Sequence, residues 1–81
     1  MTIEQLYAQV SPIAVQILGI QHFDSAVNMH STPEWDSLNH VRLLSAMEKK
    51  FSIEVGADEA FKLTSADRLV EYLHGILRGK P

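Results

Sequence analysis

The chain contains no cysteine. That excludes a disulfide framework, a thiolate metal site and any cysteine nucleophile of its own, so any thiol chemistry it takes part in has to be imported. No apolar run approaches the roughly 18 residues of a membrane span, and stable membrane insertion is not expected. The opening Met1-Thr2-Ile3-Glu4-Gln5 lacks the basic flank and continuous apolar stretch of a secretory signal, which points to a cytoplasmic location. Basic side chains are in deficit: seven Lys and Arg stand against ten Asp and Glu, a formal charge of −3. This balance argues against nucleic acid as a partner, because a phosphate backbone demands clustered cations. An acidic surface instead suits basic protein partners. Internal repeats and low-complexity tracts are also missing.

What remains is an ordinary globular composition. With 81 residues, 46% of them hydrophobic and 21% charged, the chain should form one domain over residues 1–81 with a single modest core, and it should be a monomer. Its apolar residues recur at helical rather than alternating spacing, so the expected class is all-α. Thr2 with Gln5 makes a capping box, and Ile3, Leu6, Tyr7, Val10, Ala14, Ile17 and Leu18 continue a stripe up to Gly19, a C-terminal stop. Pro12 should kink this first helix, or split it with Ser11 as a second cap. From about Ile20 to Trp35 no period persists. A long ordered loop is expected there, packed down through Phe23, Val27, Met29 and Trp35, and loops of this length are often functional.

The second helix should run from about Ser37 to Lys50, capped by Asp36, with Leu38, Val41, Leu44, Ala46, Met47 and Phe51 on its buried side. Ala57 to Phe61 allows one or two turns of a short third helix. Thr64 with Asp67 reads as the capping box of a fourth, whose Leu69, Val70, Leu73, Ile76 and Leu77 face the core until Gly79. Gly79-Lys80-Pro81 should fray.

At the start of the second helix lie Glu34-Trp35-Asp36-Ser37-Leu38. A serine at a helix N-terminus sits among unpaired N–H groups and the positive end of the macrodipole, where a phosphate ester is stabilised. With Asp36 as the cap, the Ser37 hydroxyl is left free. This segment and the following Asn39-His40-Val41-Arg42-Leu43-Leu44 resemble the phosphopantetheine-attachment helix of acyl carrier proteins, whose core signature is matched by Asp36-Ser37-Leu38. The likeness extends to Glu48 and Phe51, to Ile53-Glu54-Val55 and to Leu63-Thr64-Ser65. It implies a small four-helix bundle with three longer helices, a short third helix and a long loop between the first two. It also implies a carrier rather than an enzyme. By that resemblance, Ser37 receives 4′-phosphopantetheine from coenzyme A through a phosphopantetheinyl transferase. The arm then holds acyl or aminoacyl groups as thioesters for the loading and transferring synthase enzymes of fatty acid, polyketide, nonribosomal peptide or related biosynthesis.

The family's apolar cleft would be lined here by Leu44, Met47, Phe51, Ala60 and Leu63, although each also reads as ordinary core. Asn39, Arg42, Lys49 and Lys50 stand where fatty-acid-synthase carriers tend to be acidic, and Glu48 alone keeps that character. The second helix is therefore near neutral or basic, a departure that points to a specialised carrier with dedicated partners. Phe61, where relatives often carry a charge, should enlarge the acyl pocket or form an exposed docking contact. A serine hydrolase is the rival reading, since His40 lies one turn after Ser37, but no Gly-x-Ser-x-Gly elbow or glycine-rich oxyanion loop accompanies them. His22, His30, His40 and His74 lack paired metal-ligand spacing and read as loop or surface residues. An unmodified helical adaptor is the third reading.

Overall fold

The computed structural model describes residues 1–79 and, among them, four helices: α1 Ile3–Leu18, α2 Ser37–Phe51, α3 Ala57–Ala60 and α4 Ala66–Gly79. The small all-α bundle expected from the periodicity is the one observed. In α1 the capping box is complete: the Thr2 hydroxyl accepts from the Gln5 N–H at 3.1 Å, and the Gln5 side chain accepts from the Thr2 N–H at 2.8 Å. Gly19 ends it at φ 68°, a left-handed conformation that a Cβ would disfavour. Pro12 lies inside one continuous helix, so no split occurs there. Ser11, rather than capping a second segment, donates its hydroxyl to the Phe23 carbonyl at 2.9 Å and ties the following loop to α1.

The core forms where three helical stripes meet. Leu6, Val10, Ala14 and Leu18 of α1, spaced four apart, pack against Leu43, Leu44 and Met47 of α2 and Ala66, Leu69, Val70 and Leu73 of α4. Phe23 and Trp35 from the long loop, and Leu63, complete it. The loop is ordered by its own chemistry. The Asp24 carboxylate accepts from the Ala26 N–H, and the Thr32 carbonyl accepts from the Trp35 N–H across a turn that holds Pro33. Its middle pairs with the segment before α4: Met29 N–H donates to the Thr64 carbonyl and Ala66 N–H to the Val27 carbonyl, both at 2.9 Å.

That pairing corrects the expected start of α4. Ser65, not Thr64, caps the helix, its hydroxyl accepting from the Arg68 N–H at 3.1 Å. The two residues offer the same hydroxyl one position apart, and the loop pairing fixes the choice. Asp67 is instead engaged across the bundle by the Tyr7 hydroxyl. Gly79 remains helical, and the expected fraying of Lys80 and Pro81 falls outside the described residues.

Partial burial, first, and the Asp67 carboxylate, second, push the Tyr7 phenol well above its ordinary 10.0. The fold thus favours the neutral phenol. Its contribution is complete below the unfolded value and is lost as pH rises past it. Urea unfolding midpoints should therefore fall between about pH 9 and about pH 11, and less steeply for Tyr7→Phe than for the wild type. Parallel slopes in the two proteins would contradict this account.

Candidate functional site

The N-terminus of α2 is held from several sides. Asp36 has extended backbone geometry (φ −93°, ψ −176°), and its carboxylate accepts from the Asn39 N–H at 2.9 Å. Its carbonyl accepts from the His40 N–H at 2.8 Å, while the Asn39 side chain donates to the Glu34 carbonyl at 2.9 Å. These bonds take the N–H groups of Asn39 and His40. Among the described residues the N–H groups of Ser37 and Leu38 meet no acceptor and the Ser37 hydroxyl makes no hydrogen bond. Ser37 is exposed. An exposed hydroxyl at the first helical position, beside two free N–H donors, suits a phosphodiester, so the residues present fit a phosphopantetheine arm.

Trp35, two residues before Ser37, is only 1% exposed. Its indole N–H donates to His40 Nδ1 at 2.9 Å, and His40 Nε2 lies 2.9 Å from the Ala60 carbonyl. An indole nitrogen can only donate, so these partners select the neutral histidine with its proton on Nε2, which donates to Ala60. His40 is thus not the surface residue that spacing suggested: it links the loop, α2 and α3. Both ring nitrogens are occupied, and neither is left to take a proton from Ser37, which removes the geometric basis of the hydrolase reading. Trp35 also packs on Phe23 and Phe23 on Tyr7, with ring centroids 5.8 and 6.3 Å apart, so an aromatic row runs from α1 to the site.

A cavity of about 320 Å³ opens beside Ser37. Val41 and Leu44 of α2, Ala57, Ala60 and Phe61 in and after α3, and Met29 give it an apolar wall, to which Ser37, His40 and Thr64 add the polar edge. Of the expected cleft residues, Leu44 and Ala60 line it. Met47 and Leu63 do not: they lie in the core at 0% and 3% exposure, and Phe51 is half-buried away from the cavity wall. Phe61 is 82% exposed at the cavity rim. Leu38 and Val41 are corrections of the opposite kind, each 61% exposed rather than buried, because α2 turns Leu43, Leu44 and Met47 inward and that rotation puts Leu38 outside. Arg42 is exposed, and the Glu48 carboxylate accepts from the Val55 N–H at 2.9 Å.

Sequence reasoning missed the Trp35–His40–Ala60 relay. A buried tryptophan needs an acceptor for its N–H, and a histidine five residues on, inside the first turn of a helix, was the available signal. Replacing His40 by Leu strands that buried donor and should cost about 1–3 kcal/mol in urea unfolding. The same replacement in a Trp35→Phe background should cost less, because no indole N–H is left unpaired. Equal costs in the two backgrounds would show that the hydrogen bond carries no energy.

Comparison with known proteins agrees with this geometry. Residues 34–73 match the family model described as a phosphopantetheine attachment site. The chain is 31% identical over 81 residues to an acyl carrier protein of Cyanidium caldarium, covering 98% of this chain and 94% of the relative. It is also 31% identical over 75 residues to that of Cyanidioschyzon merolae (strain NIES-3377 / 10D), covering 90% and 82%. To the acyl carrier protein of Campylobacter fetus subsp. fetus (strain 82-40) it is 44% identical over 41 residues, 51% and 53% of the two chains. The helical bundle, the match to the phosphopantetheine attachment site and the similarity to the Cyanidium and Cyanidioschyzon proteins over most of both chains together show that this chain belongs to the acyl carrier protein family, whose members are carriers and not catalysts.

Proposed function

We propose that Ser37 carries 4′-phosphopantetheine, transferred from coenzyme A by a phosphopantetheinyl transferase, and that the protein, as a cytoplasmic monomer folded as one domain, presents acyl thioesters to loading and transferring enzymes. The observation that carries this reading is the free, exposed Ser37 hydroxyl at the N-terminus of α2. When attached, the arm supplies the thiol that a cysteine-free chain lacks. The protein's own residues do the positioning. Asp36 fixes the helix start without using the serine, the unpaired Ser37 and Leu38 N–H groups would be available to the phosphate, and buried Trp35 anchors the approach to the helix.

The apolar wall of the cavity beside Ser37 favours an aliphatic acyl cargo, of the fatty acid or polyketide kind, over an aminoacyl one. Val41, Leu44, Ala60 and Phe61 would shelter the first carbons beyond the thioester, and the ring nitrogens of His40 are already engaged. Leu38, Val41 and Phe61 supply exposed apolar contacts for the enzymes that load and unload the arm.

Incubation of the purified chain with coenzyme A and a broad-specificity transferase should add one phosphopantetheine mass to the wild type and none to Ser37→Ala. A folded wild type that gains no mass would leave the unmodified adaptor as the better account. Cargo class is read by melting: a hexanoyl-loaded protein should melt roughly 5 °C or more above its acetyl-loaded counterpart, since each methylene taken from water stabilises the fold. Identical melting temperatures would mean that the acyl chain stays in solvent.

A further inference from the structure

Of the four large hydrophobic side chains that the described residues expose, Val41 and Phe61 line the cavity that Ser37 also lines, and Leu38 follows Ser37 directly in the chain. Apolar surface gathered beside a site of modification marks a place where another molecule docks. The polar residues that continue this face decide what that molecule is. Along the outer side of α2 lie Leu38, Val41, Arg42, Ser45 and Lys49, all exposed and on one face because Leu38 reaches Arg42 at four residues, Arg42 reaches Ser45 at three and Ser45 reaches Lys49 at four, with Lys50 next to them. Among the described residues neither Arg42 nor Lys49 pairs with a carboxylate, and Lys50 only approaches the ring of its neighbour Phe51, at 5.9 Å.

Two of the nearby carboxylates already hold backbone N–H groups. Asp36 caps α2, and Glu48, the one acidic residue of that helix, accepts from the Val55 N–H. Burial first, and then the charges of Glu59 and Glu48, push the Tyr72 phenol of α4 upward. Glu34 precedes the helix and Asp58 follows Ala57 on α3. The outer face of α2 is thus cationic on a chain whose formal charge is −3.

We infer that the enzyme surface that docks here is acidic: an apolar socket for Leu38, Val41 and Phe61, flanked by carboxylates that meet Arg42, Lys49 and Lys50. This rests on the carrier reading and specifies its partner. A basic surface would be repelled during encounter and would leave unmatched charge when docked. Nucleic acid fits poorly, because three exposed apolar side chains adjoin only three cations and the whole chain is acidic.

The test uses 15N-labelled holo-protein, its Ser37 modification verified by intact mass. Absence of that modification would sink the carrier reading, and the same titration on the unmodified chain would still examine the docking face. Two helical peptides sharing one leucine face, flanked by glutamate in one and lysine in the other, are titrated in turn. The glutamate peptide should shift the amide resonances of Leu38, Arg42, Ser45, Lys49 and Phe61. It should bind about tenfold tighter than the lysine peptide, a preference weakened by salt. In the triple variant Arg42→Glu, Lys49→Glu, Lys50→Glu, whose substitutions are all at exposed positions, a well-dispersed spectrum verifies folding and the preference should invert. The proposal is overturned if the lysine peptide binds the wild type as well, if the triple variant keeps the original preference, or if the shifts fall away from α2. Phosphatidylserine vesicles that shift these residues more strongly than either peptide would overturn it in favour of a lipid surface. Self-association that shifts the same residues would assign the face to a second copy.

Discussion

The site depends on the burial of Trp35. An indole placed in the core two residues before Ser37 fixes where the chain enters α2, and its N–H must find an acceptor in a place that water does not reach. His40 supplies that acceptor and passes the bond on to the carbonyl of Ala60. One side chain therefore couples three things that separate segments of sequence encode: the end of the long loop, the first turn of α2 and the position of α3. The row of rings through Phe23 to Tyr7 extends the coupling to α1.

Much of this was legible from residue order. The capping box at Thr2 and Gln5 and the Asp36 cap follow from local rules in which a side chain satisfies a neighbouring backbone group, and the stop at Gly19 follows from the left-handed backbone that a glycine tolerates. Such rules act within one turn and need no knowledge of the fold. The rotation of α2 was harder. Leu38, Val41, Leu43, Leu44, Met47 and Phe51 wrap more than half of the helix, so periodicity alone cannot choose between a stripe through Leu38 and one through Leu43. Packing against α1 and α4 makes the choice, and it leaves Leu38 and Val41 outside.

The start of α4 and the role of His40 were illegible for a related reason. Thr64 and Ser65 are equivalent as caps until the loop backbone pairs across at Met29 and Val27, and that contact spans more than thirty residues of sequence. His40 next to an exposed helix face reads as solvated until its ring is seen to bridge Trp35 and Ala60. In both cases a long-range contact selects among local options of similar energy.

The four residues of α3 contribute no buried side chain, yet Ala57 and Ala60 form one wall of the cavity. The hydrophobic core lies in α1, α2, α4, Leu63 and the long loop. Local opening of α3 breaks the His40 bond to Ala60, the few backbone bonds that close its single turn and the contact of Ala60 with the core, at a free energy below that of global unfolding. The outer cavity wall and the bulk of the stability reside in different parts of the molecule: substitutions at the exposed Ala57 and Phe61 can reshape that wall and leave the bundle's resistance to denaturation almost unchanged.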